Sequence, residues 1–232
     1  MATLTQLCNK VQQKLGLDST ASSAEETLLI QWLNEAVVDV LLRARVNVNP
    51  ATLATAAGVA DYTLSSNALA VRDLTYTSAD GTTTRLTRVT PDDILRFRTA
   101  TPAVGGTVMY YAFTGSDMFM FYPTPASAGT ITVYYVPRPT AMSVSSHDPS
   151  NETYGGIPAE YHKALELYAL AEAAEYTDHQ PSQFGARYKA EYEAKLIEVK
   201  RAMRHRGGRS LGAAIVGKRR PLVGSNDRYP RG

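Results

Sequence analysis

Apolar positions recur with a helical period at both ends of the chain and with a period of two in the middle. Leu4, Leu7, Val11 and Leu15 fall on one helical face. Thr3-Leu4-Thr5-Gln6 precedes them as a capping box, and Gly16 supplies the stop. Ser22 and Ser23, each with a glutamate three residues on (Glu25 and Glu26), mark a second start. Leu29, Leu33, Ala36, Val37, Val40, Leu41 and Ala44 then form a continuous stripe with Trp32 beside it. This second helix is strongly apolar and is expected to be central.

Near Asn47 the period falls to two, and β-branched and aromatic residues become frequent until about Thr140. Asp80-Gly81 between TYTSA and TTTRL predicts a hairpin turn. TVMYYAF and MFMFYP around Gly115 predict another. In TITVYYV, Ile131, Val133 and Tyr135 alternate with Thr130, Thr132 and Tyr134, so one face should be wet. Pro91-Asp92-Asp93 opens a short helical turn through Phe97. About six strands in a small sandwich or barrel are expected.

Residues 139–156 read as a long polar loop, after which Pro158 suits the first position of a helix. A helical hairpin follows. Its first arm carries Tyr161, Leu165 and Tyr168, widened by Leu167, Leu170, Ala171 and Ala174. TDHQPS turns the chain, and the second arm carries Phe184, Tyr188, Tyr192, Leu196, Val199 and Met203. Glu191 and Lys195 are spaced for an i,i+4 ion pair. The last turns gain Arg201, Arg204, His205 and Arg206, which suit a helix C-terminus. No internal repeat is present. The fold class is therefore α+β: a helical bundle of residues 1–46 and 157–206, an inserted antiparallel β-sandwich or barrel with its loop over 47–156, and an extended basic arm over 207–232.

That arm, GGRSLGAAIVGKRRPLVGSNDRYPRG, has no sustained periodicity and should not build a fold of its own. Charge sharpens the contrast. The net +2 of the chain splits into +8 from Arg201 onward and −6 before it. A basic tail on an acidic body points to an acidic partner: nucleic acid, anionic lipid or an acidic protein surface. The 44% apolar and 20% charged content is that of an ordinary globular protein. The N-terminus does not read as a signal peptide, and no apolar run is long enough to span a membrane.

Catalytic constellations are not found. Gly212 to Arg219 nearly matches a phosphate-binding loop, but Arg219 replaces the required hydroxyl and Pro221 blocks the following helix. His147, His162, His179 and His205 have no ligand spacing. Cys8, the lone cysteine, excludes an internal disulfide and reads as a small core residue. The 14 tyrosines mostly fall on strand faces and helical stripes, which suggests burial and assembly rather than base stacking. No cofactor, metal site or enzymatic activity is expected.

The joint order of parts resembles the head-to-tail adaptor (connector) proteins of tailed phages. Leu33-Asn34-Glu35-Ala36 is similar to their N-terminal helix, and FMFYPTPASAGTITVYYVPRPTAM to their β segment. PAEYHKALELYALAEAAEY with Tyr188 and Tyr192 is similar to their C-terminal hairpin. The layout up to about Met203 also resembles the tail tubular protein A of short-tailed phages. The resemblance implies a structural virion protein of the neck, assembled in the bacterial host cytoplasm, in a ring usually of twelve subunits beneath the portal protein. Further implied partners are the next tail or neck protein and DNA passing through the channel without sequence-specific binding. No membrane is implied.

Such adaptors commonly send C-terminal arms into or along the portal. Carried onto this chain, the portal-binding arm has basic residues Arg204, Arg206, Arg209, Lys218, Arg219, Arg220, Arg228 and Arg231. Its sparse apolar anchors are Leu211, Ile215, Val216, Leu222, Val223 and Tyr229. The rival reading is a nucleic-acid-binding protein that grips phosphates with the same tail.

Overall fold

The structure, a computed structural model, describes residues 2–16, 23–64, 67–100, 106–115, 117–143, 145–178 and 183–215. Helix α1 is Leu4–Leu15 and α2 is Ser23–Ala44. The Thr3 N–H donates to Gln6 Oε1 at 3.1 Å, as the capping box requires. Gly16 ends α1 at φ 69°, a left-handed cap that suits glycine. Every residue of the α2 stripe, from Leu29 to Ala44, is buried.

Eight strands follow in place of the expected six. They are β1 (Asn49–Thr55), β2 (Asp61–Thr63), β3 (Ala68–Ser78), β4 (Thr83–Arg85), β5 (Thr87–Arg88), β6 (Tyr110–Phe113), β7 (Met118–Tyr122) and β8 (Gly129–Pro137). They form two four-stranded sheets, ordered β1-β8-β3-β4 and β2-β7-β6-β5. Neither sheet closes on itself, so the barrel expectation fails. The second sheet is mixed rather than antiparallel, because β5 pairs with β6 in parallel. The missed strands, β2 and β5, are three and two residues long, too short to display an alternation.

The period-two reading holds where strands are long. Gly81, at φ 84°, turns β3 into β4, and β6 pairs antiparallel with β7 around Gly115. Ile131 and Val133 are buried while Thr130 and Tyr134 are exposed. Leu74, Tyr76, Ile131 and Val133 of the first sheet share one cluster with Tyr111, Phe119 and Phe121 of the second. Helix α3 (Pro91–Ala100) buries Ile94 against Ala112 and Met120, three residues longer than the sequence suggested. Thr90 begins it: its hydroxyl accepts from the Asp93 N–H at 3.2 Å.

Helix α4 (His162–Asp178) and α5 (Gln183–Ile215) complete the fold. Pro158 caps a 3₁₀ turn, Ala159–Tyr161, that leads into α4, rather than opening the α-helix itself. Leu4, Leu7 and Val11, the α2 stripe, Leu165 and Leu170, and Tyr192, Leu196 and Val199 form one helical cluster. Val46, Val136, Met142 and Ile157 join it from the connecting chain.

Two expectations about α5 are corrected. Phe184 is exposed, because each i,i+4 step rotates by about 40° and two steps carry it roughly 80° from Tyr192. The pair expected at Glu191–Lys195 is replaced by Arg187–Glu191 at 3.0 Å and Lys195–Glu198 at 2.7 Å.

The polar stretch 139–156 is laced to the helices. The Leu4 N–H, an unpaired donor of the first turn of α1, donates to the His147 carbonyl at 2.8 Å. Asn34 of α2 exchanges two hydrogen bonds with the backbone of Met142, at 3.0 and 2.8 Å. Asn47 donates to the Gly155 carbonyl at 3.2 Å, and His147 stacks on Tyr154 at 4.2 Å.

Candidate functional site

The strongest polar contacts are structural in form. Glu166 of α4 is nearly buried and accepts from Lys10, Lys14 and Lys163, each at 3.2 Å. Burial raises its pKa, but the three ammonium groups outweigh burial and hold it below the usual carboxylate range. This carboxylate pins α1 to α4.

A second network joins α2 to α5. Arg43 forks onto Glu193, with Nη1 donating to Oε1 at 2.7 Å, and sits 5.9 Å over the Tyr192 ring. The Tyr192 hydroxyl donates to Asp39. The hydrogen bond to Glu193 raises the Arg43 pKa, and the same bond lowers that of Glu193. Burial, then the hydroxyl's bond to Asp39, pushes Tyr192 up. The four residues line a small concavity of about 180 Å³. All four groups already satisfy one another, which is the pattern of a fastening rather than of a poised acid and base.

Cys8 is buried in the helical cluster, and burial pushes its thiol up to about 11. It is inert as a nucleophile at neutral pH. Among the described residues no group of three His, Cys, Asp or Glu side chains could hold a metal ion. Among the same residues no helix is long and apolar enough to cross a membrane.

His162 is buried, and its Nε2 lies 3.0 Å from the Ile157 carbonyl and 3.2 Å from Ser150 Oγ. Asp148 is 4.0 Å away. Burial lowers its pKa, so the folded chain holds it neutral. Below the ordinary histidine value of about 6.5 the unfolded chain therefore binds the extra proton, and stability falls as pH falls. The denaturation midpoint should decline from about pH 6.5 downward, and His162→Gln should flatten that limb. Glu166 acts in the same direction only below about pH 4.3, so the two contributions separate in a midpoint-versus-pH series.

Another concavity, of about 610 Å³, is of a different kind. It runs along the outer side of α2, lined by Ile30, Asn34, Val38, Leu42 and Ala141, with Glu35 and Asp39 on one flank. Its wall is almost wholly apolar, and Leu42 is 43% exposed. Among the described residues, Leu42 is the large apolar side chain that α2 leaves exposed, while Ile30 packs against the helical cluster and Asn34 is bonded to Met142. The sequence carried this signal in Leu42, which lies outside the core stripe.

The sequence-predicted arm lies only partly within the described residues. Arg204, Arg206, Arg209, Leu211 and Ile215 fall on the last turns of α5, which continues to Ile215. The arm's first residues are therefore helical rather than extended. Gly207, Gly208 and Gly212 do not end it, because each glycine costs a helix only about 1 kcal/mol, and Leu211, Ala213 and Ala214 favour continuation. Val216, Lys218, Arg219, Arg220, Leu222, Val223, Arg228, Tyr229 and Arg231 lie outside the described residues.

An α+β chain whose polar clusters are fastenings, with a shallow apolar concavity along one helix, has the makings of an assembly component. The family comparison agrees. The model of the SU10 adaptor protein family matches residues 2–216. The chain belongs to that family, a family of phage head-to-tail adaptors. Its class is thereby a phage structural adaptor, with other head-to-tail proteins as partners. No curated protein matches the sequence.

Proposed function

We propose that the protein is a ring-forming connector of the virion neck that docks beneath the portal and joins the capsid to the tail. The observation that carries this is the family match over residues 2–216, nearly the whole chain. In this reading the helices of residues 1–46 and 157–206 are the docking body. The β insertion, 47–156, supplies contacts toward the next tail or neck protein. No catalysis is assigned to it.

The charge division supports a role for the C-terminus. The net +8 from Arg201 onward suits acidic clefts on a portal, and the sparse apolar anchors between Leu211 and Tyr229 suit shallow grooves. Ordering such an arm costs conformational entropy, so one arm binds weakly, and a ring of arms supplies avidity. The body, at net −6, suits a channel wall poor in Lys and Arg, along which DNA slides instead of being held by its phosphates.

The test is assembly of the full chain on the portal ring encoded in the same genome, beside chains ending at Arg206 and at Ile215, read by native mass and negative-stain imaging. The full chain should add a stoichiometric ring, and the chain ending at Arg206 should not. The Ile215 version separates the helical from the distal part of the arm. Equal binding by all three would remove the arm from docking. No binding, together with a salt-sensitive shift of duplex DNA, would replace the connector with the nucleic-acid binder.

A further inference from the structure

Strand β1 is an edge of the first sheet, and an edge carries backbone groups that water or a neighbour must satisfy. Bonds elsewhere in the sheet show which groups these are. The Leu86 N–H donates to the Leu74 carbonyl at 2.9 Å, and the Ser78 N–H to the Thr82 carbonyl at 3.0 Å. The even-numbered residues at this end of β3 therefore bond toward β4, and the odd ones toward β8. Thr75 lies opposite Thr132, so the even residues of β8 bond to β3 and its odd ones to β1. Val133 lies opposite Ala51 and Ile131 opposite Leu53, which leaves Pro50, Thr52 and Ala54 turned to the open edge. Pro50 has no N–H, and the Ala56 N–H just beyond the strand donates to the Tyr62 hydroxyl at 3.0 Å. Two donors remain, the N–H groups of Thr52 and Ala54, and among the described residues neither has an acceptor.

The far edge of the same sheet ends in the same way. Thr84 of β4 lies opposite Tyr76 and bonds to β3, so Thr83 and Arg85 turn their N–H and C=O groups outward. Each edge thus presents two donors two residues apart. Resting on the ring reading above, we infer that β1 of one copy pairs with β4 of the next, so that the first sheet runs on from subunit to subunit.

Direction agrees with this pairing. Each of β1, β8, β3 and β4 is antiparallel to the one before it, so β4 runs opposite to β1. Copies set side by side keep that relation, and the new pair is antiparallel. The blocked groups select its register. Thr52 opposite Arg85 of the next copy, with Ala54 opposite Thr83, engages all four N–H groups. A shift of two residues one way sets Pro50, which has no N–H, against Arg85. The opposite shift sets Ala56, already held by Tyr62, against Thr83. A shift of one residue would turn inner faces outward.

Side chains fit the same register. Thr52, Ala54, Thr83 and Arg85 are exposed on the outer face, while Leu53 and Thr84 are half-buried on the inner one. No residue of β1 is charged, so Arg85 meets no like charge and keeps its ion pair with Asp73 at 2.7 Å. Strand β1 also pairs with β8 over seven residues without a bulge, the regular form that accepts a further strand. The two edges are different surfaces of one chain, so the contact is heterologous and builds a ring when the rotation closes. Four hydrogen bonds make a weak contact by themselves, so the test is run on the portal ring as well as in solution.

The full-length chain carrying Ala54→Cys and Thr83→Cys together, treated with a short bis-maleimide, tests the contact. Facing positions of an antiparallel pair hold their Cβ atoms about 5 Å apart. Cys8 is buried and adds no background. A ladder of covalent oligomers on a denaturing gel is expected. Each single variant alone should stay uncoupled, and a mixture of the two should give dimers. Efficient coupling of Ala54→Cys with itself would mean an isologous β1–β1 contact and would overturn the inference. Rings seen by native mass without a ladder would overturn the contact and leave the ring standing. A chain that stays monomeric both alone and with the portal ring would remove both. As a second variant, Thr52→Pro deletes an outward donor and no bond to β8. It should raise the concentration needed for assembly at least tenfold with circular dichroism unchanged, while Thr52→Val should assemble as the parent does. Unchanged assembly of a folded Thr52→Pro chain would also overturn the inference, and if that variant unfolds the cross-link decides alone.

Discussion

Leu33→Ala is expected to lower the unfolding free energy by about 3 kcal/mol, a change of roughly a hundredfold in the ratio of folded to unfolded chain. Leu33 is fully buried at the middle of α2, in the cluster that α1, α4 and α5 share. Removing its three carbons takes away apolar transfer energy and leaves a cavity that surrounding helices close only in part. The control is on the same helix. Leu42→Ala removes as much side chain from a position 43% exposed, and should shift the monomer's denaturation midpoint by less than a third as much. Equal effects from the two would mean that Leu42 is covered within the chain itself. The measurement is denaturant unfolding at a protein concentration where the chain is monomeric.

Gly155→Ala is expected to be nearly as damaging, at about 3 kcal/mol, although it adds one methyl group to a loop. Two independent constraints meet there. Gly155 sits at φ 130°, a conformation L side chains rarely adopt. An added Cβ would also lie 2.8 Å from Val37 Cγ1, on the buried stripe of α2. The loop would have to lift, and with it the Asn47 bond to the Gly155 carbonyl. Gly115→Ala is the matched control, since a Cβ there meets nothing within 4 Å, and its effect should stay within about 0.5 kcal/mol. A Gly155→Ala midpoint indistinguishable from that of Gly115→Ala would show that the 139–156 loop does not bear on the stability of α2.

The helices were legible wherever burial has a period. The α1 cap, the full α2 stripe and the inner faces of α4 and α5 follow from spacing alone, because one buried face repeats every 3.6 residues. The β3–β4 and β6–β7 hairpins were legible because their turns carry specific residues and their strands alternate. The adaptor class was legible in the order of segments, and the family match agrees with it.

Other features depend on partners distant in sequence. Glu166 finds Lys10 and Lys14 more than 150 positions away, Arg43 finds Glu193, and Asn34 finds Met142. A charged or amide side chain carries no periodic signal, so nothing local says which partner it meets. The short strands β2 and β5, the parallel pairing of β5 with β6, and the open edges of both sheets are likewise set by chain path. So is the exposure of Leu42. Sequence reports that it is apolar, but only packing shows that the helical cluster forms without it. Local sequence thus determined which residues are buried in each helix and long strand, because that depends on a repeat along the chain. Tertiary structure decided which apolar side chain stays uncovered, because that depends on how many neighbours fit around one helix.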